Sequence, residues 1–358
     1  MTALLEVTGL SKTYLSSAGW FAPARAARVV HDVAFTLDRG QTFALVGESG
    51  SGKTTIGRLL LRLVEPDAGS VVFDGTDLVQ LAPAALRKMR RRIQIIFQDP
   101  VGSLDPRVRI GDAIAQPIRL HRLRRNDAVG ARVAELMALV GLDPAQANGY
   151  PHEFSGGQRQ RIAIARALAV EPDLIVCDEP VSALDLSIQA QVVNLLADLR
   201  DKLGLAYVFI SHDMAVVRHL ATTVGVLYAG RLVEVGPAST VFSNPRHPYT
   251  RMLLAATPSP VPGARPLSSA IDGEPPSPFV TAPGCPFTTR CPHRQKDCEA
   301  TLPALRPIDD NGRLVACLHA ATLPPFAALQ DSESQMSERY RRRLGLLRTA
   351  RLEAVDHG

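Results

Sequence analysis

The chain has 358 residues, of which 40 are Lys or Arg and 35 are Asp or Glu, giving a formal charge of +5, with 46% hydrophobic and 21% charged residues. So small a charge excludes a nucleic-acid module that relies on a basic face, and the apolar fraction excludes wholesale disorder. No apolar run approaches the ~20 residues needed to cross a bilayer, and the opening MTALLEVTGLSKTY lacks the basic stretch and apolar core of a secretory signal, so a cytoplasmic protein is expected.

Residues 1–256 alternate β-branched apolar runs with helical patterns, which predicts a mainly parallel sheet covered by helices. The run Phe43–Val46 leads into Gly47-Glu48-Ser49-Gly50-Ser51-Gly52-Lys53-Thr54, and a helical pattern starts at Thr55. This fits the phosphate-loop pattern G-x-x-x-x-G-K-[ST] in the strand-to-helix setting it requires. Glycines let successive backbone N–H groups face a phosphate, Lys53 supplies a point charge to the β/γ oxygens, and the Thr54 hydroxyl takes a Mg²⁺ position.

A second strand is predicted at Ile93–Phe97, after a basic run (Arg87, Lys88, Arg90, Arg91, Arg92) that reads as a solvated helix face. Strand-like runs then vanish until Val170, so a helical insertion over about 99–170 is expected. Within it, Ser155-Gly156-Gly157-Gln158 opens the helical run Arg159–Val170 with a capping box. Two glycines leave that helix start bare enough for an anion to approach, although an ordinary capped helix gives the same spacing. The strand Leu174–Cys177 ends in Asp178-Glu179, at the sheet edge where α/β ligands sit. Asp178 suits the Mg²⁺ shell, Glu179 is placed to handle a water attacking the γ-phosphate, and Cys177 reads as core. Tyr207–Ile210 is a fourth strand.

Past residue 256 the composition changes. Eight prolines between Pro258 and Pro283 predict an extended linker over 257–283. Cys285, Cys291, Cys298 and Cys317 follow with spacing C-x5-C-x6-C-x18-C in a segment over 284–322 that is too small to bury much core. In a reducing compartment these are four free thiols, a tetrahedral Zn²⁺ site or a [4Fe–4S] cluster. The tail over 323–358 is basic, with Met336, Tyr340, Leu344 and Leu347 at helical spacing.

Taken together, the phosphate loop, Gln98, Ser155-Gly156-Gly157-Gln158, Asp178-Glu179, Ser182-Ala-Leu-Asp185 and Ser211-His212-Asp213 resemble an ATP-binding-cassette ATPase over about residues 4–256. The resemblance implies a phosphate-loop NTPase fold of the ABC type: a mainly parallel sheet, an antiparallel β portion and a helical subdomain, here with a small Cys-bearing C-terminal extension. It implies ATP and Mg²⁺ as cofactors, and two such domains paired head to tail, so that Ser155 to Gln158 contact the partner's nucleotide. It also implies that Tyr14 stacks on adenine, and that Gly47 to Thr54 with Thr55 hold the phosphates. Gln98 would join the Mg²⁺ shell and couple the γ-phosphate to the transporter, Asp185 would touch the partner, and His212 would stabilise the transition state. Asn244-Pro-Arg-His-Pro-Tyr-Thr250 and the Cys segment resemble the dipeptide/oligopeptide importers, and Pro180–Gln191 with Tyr207–Asp213 resemble the second of their two ATPase subunits. A heteromeric ATPase partner, two transmembrane permeases and, indirectly, an extracytoplasmic substrate-binding protein are then expected, at the cytoplasmic side of the membrane and without nucleic acid. The irregular cysteine spacing, with this resemblance, leans toward the iron–sulfur cluster over zinc. Related ATPases serve nickel and other small-solute importers, and a soluble ABC ATPase is the rival from another class, although such proteins commonly carry two cassettes where this chain has one.

Overall fold

The computed structural model describes residues 3–16, 25–256, 273–279, 283–310 and 312–326. Most of the proline-rich linker, and the helically spaced Met336, Tyr340, Leu344 and Leu347 of the tail, lie outside the described residues. In chain order the strands are β1 (Leu5–Ser16), β2 (Arg25–Leu37), β3 (Thr42–Val46), β4 (Ala68–Phe73), β5 (Thr76–Asp77), β6 (Ile93–Ile96), β7 (Leu174–Asp178), β8 (Ala206–Ser211), β9 (Thr223–Tyr228), β10 (Arg231–Pro237), β11 (Arg306–Pro307) and β12 (Leu314–Val315). The helices are α1 (Lys53–Leu60), α2 (Pro83–Met89), α3 (Pro100–Ser103), α4 (Ile110–Leu120), α5 (Asn126–Leu139), α6 (Gly156–Leu168), α7 (Leu186–Leu203), α8 (Met214–Leu220), α9 (Ala238–Ser243) and α10 (Pro248–Ala256).

β3, β7 and β8 are buried at every residue because both faces of the sheet are covered, which is why they read as unbroken apolar runs. Successive side chains alternate between two cores. Ala44, Val46, Ile175, Cys177, Tyr207 and Phe209 face one, while Phe43, Leu45, Leu174, Val176, Val208 and Ile210 face the other. The main sheet runs β11-β12-β10-β9-β3-β8-β7-β6, parallel from β9 through β6 and antiparallel at its other end. A separate antiparallel sheet, β2-β1-β4-β5, covers the second core. Between β6 and β7 lie only helices. Ile110, Ile114 and Ile118 of α4 meet Val129, Val133 and Leu136 of α5 along stripes of three- and four-residue spacing.

One expectation is corrected here. Arg87 and Lys88 are exposed on α2, but the basic residues that follow are structural. Arg90 donates to the carbonyls of Leu61 (3.2 Å) and Arg62 (2.6 Å), Arg91 donates to that of Val170 (3.3 Å), and Arg92 bridges Asp173 and Asp74, each at 2.6 Å. They tie the end of α2 to the edge of the sheet instead of forming a solvated face.

The cysteine-bearing segment builds no core of its own and completes the main one. β12 pairs with β10 through Glu234↔Val315 and Val235↔Leu314, and the Ala316 N–H donates to Val233 (2.8 Å). Phe287, 1% exposed, packs edge-on against Tyr228 (5.2 Å between centroids) and lies 5.5 Å from Tyr249. Burying such a ring stabilises the contact by roughly 1.5–3 kcal/mol. Among the described residues no helix is long and apolar enough to cross a membrane.

Candidate active site

The loop between β3 and α1 turns through positive φ at Gly47, Gly50 and Gly52. Space forbids a side chain at two of them. A β-carbon on Gly47 would stand 2.2 Å from the Leu227 carbonyl oxygen, and one on Gly52 would stand 2.7 Å from that of Val29. The loop is therefore wedged between β9 and β2. Lys53, at the first turn of α1, is 4% exposed, and its Nζ donates to the carbonyls of Gly47 and Glu48, both at 2.8 Å. Burial pulls its pKa below the usual lysine value, while Glu179, Asp178 and Glu48 oppose that shift.

β7 delivers Asp178 and Glu179 to the same place. The Thr54 hydroxyl donates to Asp178 Oδ1 at 3.0 Å. Asp178 is 4% exposed, and burial pushes its carboxyl pKa up, the Glu179 charge adding to the effect while Thr54, Arg58 and Lys53 hold it down. Glu179 sits at φ 48°, a left-handed conformation that costs a non-glycine residue about 1–2 kcal/mol. Its N–H is held by the Ile210 carbonyl (3.0 Å). The carboxylate meets Gln98 Nε2 at 3.1 Å and His212 Nδ1 at 3.4 Å. Ser49, Gly50, Gly52 to Thr55, Gln98 and Glu179 line one open pocket together with Val29 of β2.

The other expected site residues stand away from that pocket. Ser155 caps α6, its Oγ accepting from Gln158 N (3.3 Å) while Gln158 Oε1 accepts from Ser155 N (2.9 Å). Ser155 and Gly156 are exposed, but Gly157 is buried against α7. Asp185 caps α7 by accepting from Ile188 N (3.1 Å), and the next residue, Leu186, is 81% exposed. Tyr14, 38% exposed, pairs with Ala27 across β1 and β2 and lies outside the pocket lining.

Cys285, Cys291, Cys298 and Cys317 line a single cavity with His247, His293 and His319. Burial pushes the thiols of Cys285 and Cys291 up and that of Cys317 to about 11. Cys177 is fully buried in β7, as read from the sequence. Sequence reasoning missed Arg290 and Tyr249, which reach Glu48 of the phosphate loop from the C-terminal side, and Tyr228, whose hydroxyl accepts from Arg290. No local spacing marks them, since the contacts join residues 62, 201 and 242 positions apart.

The fold and this loop-centred site define a phosphate-loop ATPase. The family profile described as ABC transporter matches residues 30–182, and that of the oligopeptide/dipeptide transporter C-terminal region matches residues 233–298. A probable peptide ABC transporter ATP-binding protein, y4tS of Sinorhizobium fredii, is 47% identical over 340 residues, 94% of each chain. The dipeptide transport ATP-binding protein DppF of Escherichia coli is 46% identical over 332 residues, 93% of this chain and 96% of the relative. Among solved structures, cbiO1 of Clostridium perfringens, part of the ABC transporter complex cbiONQ, aligns with a TM-score of 0.60 at 25% identity, covering 68% of this chain and 91% of that one. The dimeric post-hydrolysis cassette MJ0796, bound to ADP and Pi, aligns with a TM-score of 0.59 at 27% identity, covering 65% and 98%. The chain belongs to the ABC transporter family, among its ATP-binding subunits.

Proposed function

We propose that this chain hydrolyses ATP to energise an importer of dipeptides or oligopeptides, seated on the cytoplasmic face of the membrane under two permeases fed by a substrate-binding protein. The carrying observation is the near full-length similarity to peptide-transport ATP-binding proteins, which extends through the C-terminal region. In this reading Lys53 and the backbone from Gly47 to Thr55 hold the phosphates. Thr54 and Asp178 offer the hard oxygen donors that suit Mg²⁺, with Gln98 beside them, and the ion when bound neutralises phosphate charge. Glu179 orients the attacking water and accepts its proton, while Gln98 and His212 fix its carboxylate. Tyr14 stacks on adenine. The exposed cap of α6, from Ser155 to Gln158, closes on the nucleotide of a second ATPase subunit, with Asp185 touching that subunit. The exposed Leu186 beside Asp185 supports a partner surface there.

Glu179→Gln is expected to keep ATP affinity near the wild-type value and lower turnover by a factor on the order of 10² or more, with ATP-bound dimers accumulating. Lys53→Ala is expected to weaken ATP binding itself. Isothermal titration and single-turnover hydrolysis on the two variants separate the roles, and equal loss of binding in both refutes them.

The four cysteines hold a [4Fe–4S] cluster in this reading. Soft donors gathered around one buried cavity suit it, and metal ligation favours the thiolate that burial opposes. Among the described residues, the ligand-type atoms that lie within 4.8 Å of one another belong to Asp297, Cys298 and His319. Bound in the cavity, the cluster cross-links a segment short of core. Anaerobically purified protein is expected to carry about four irons per chain, lost in Cys291→Ser. One zinc per chain moves the assignment to zinc, and neither metal leaves free thiols.

A further inference from the structure

Glu48 is an acidic residue inside a loop built to receive a polyanion. Left bare, its carboxylate places a negative charge on the loop and disfavours phosphate there. The structure neutralises it with a single side chain from the far end of the chain. Arg290 Nη1 donates to Glu48 Oε2 at 2.9 Å and Nη2 donates to Oε1 at 2.8 Å, the two-pronged geometry that a lysine cannot reproduce. The Arg290 side chain is 3% exposed and that of Glu48 22%. Nη1 also reaches the Tyr228 hydroxyl at 3.3 Å, and the guanidinium lies over the rings of Tyr228 and Phe287 at 5.6 and 5.9 Å.

The same residue is gripped along its backbone. The Glu48 N–H donates to the Tyr249 hydroxyl at 2.9 Å, and its carbonyl accepts from Lys53 Nζ at 2.8 Å. Glu48 is thus fixed through its side chain by Arg290, through its N–H by Tyr249 and through its carbonyl by the phosphate-binding lysine. Tyr249 comes from the Asn244–Thr250 stretch, and Arg290 immediately precedes Cys291. Both features that mark the C-terminal region in the sequence converge on one position of the loop.

We infer that Arg290 is a positioning residue for nucleotide binding: by neutralising Glu48 and fixing its side chain, it makes the conformation and charge of the phosphate loop depend on the folded cysteine-bearing segment. The effect is expected in ATP binding more than in the chemical step, because Glu48 touches Lys53 and the loop backbone and neither the Glu179 carboxylate nor its partners Gln98 and His212.

The test is ATP titration of the full-length chain together with steady-state hydrolysis by the assembled transporter. Arg290→Met is expected to raise the ATP Kd and KM by roughly tenfold or more with kcat within about twofold of wild type. Adding Glu48→Gln, which removes the unpaired charge, is expected to recover most of that affinity, an outcome that lost packing alone does not give. Wild-type affinity in Arg290→Met, or a double variant that binds no better than the single, overturns the inference. Should Arg290→Met fail to fold, Arg290→Lys keeps the charge and loses the fork: a raised KM at unchanged kcat upholds the role, and an unchanged KM overturns it.

Discussion

A β-carbon added to Gly157 would stand 2.3 Å from Ile188 Cγ2, so this glycine in the first turn of α6 is dictated by the approach of α7. The sequence reading gave both glycines of Ser155-Gly156-Gly157-Gln158 the task of baring a helix end to an anion. Only Gly156, whose added β-carbon meets nothing closer than 3.5 Å, is free for that task. Alanine is a better helix former than glycine by about 1 kcal/mol, yet overpacking costs about 1–3 kcal/mol, so Gly157→Ala is expected to destabilise the chain. Ile188→Ala in the same chain is expected to restore part of the loss, and thermal or urea unfolding of the two variants measures both. An unchanged midpoint in Gly157→Ala refutes the packing account. The Ser155 cap was legible because its two hydrogen bonds join residues three apart. The reason for Gly157 was not, because Ile188 reaches it only once α6 and α7 pack together.

At the scale of elements, legibility follows burial. β3, β7 and β8 announce themselves as apolar runs because each is covered on both faces. β2 mixes buried and exposed residues irregularly, as in a sheet wetted on one side, and β1 pairs with it through repeated register shifts, so neither shows a clean alternation to read. β11 and β12 are two residues each, and such strands exist only because β10 offers an edge. α6 begins at Gly156, three residues before the periodic apolar pattern, since the first turn after a cap needs no buried residue. Arg90, Arg91 and Arg92 looked like a solvated run because their acceptors are mostly backbone carbonyls, which a sequence does not display.

For the molecule as a whole, the join between the ATPase core and the cysteine-bearing segment makes stability depend on pH. His247 is 1% exposed, its centroid 5.8 Å from Phe287, and burial takes its pKa from 6.5 to about 3. The unfolded chain therefore binds a proton at this ring before the folded one does. Stability from this group is fully present above 6.5 and is lost as pH falls from there toward 3, by roughly 2 kcal/mol at about pH 5. His247→Asn is expected to flatten the fall in urea midpoint between about pH 7.5 and 5, and parallel curves for the two proteins refute the assignment. The same join also sets the timing of biosynthesis. Arg290 lies 242 residues after Glu48, so at ribosomal rates of about 5–20 residues per second the finished loop waits roughly 10–50 s for its counter-charge. From the synthesis of Pro237 until that of Val315, β10 presents an uncovered strand edge, of the kind that recruits other chains. A nascent polypeptide stalled after α10 would carry a complete phosphate-loop sequence and neither the edge cover nor the clamp, so full affinity for nucleotide arrives only once the cysteine-bearing segment is translated.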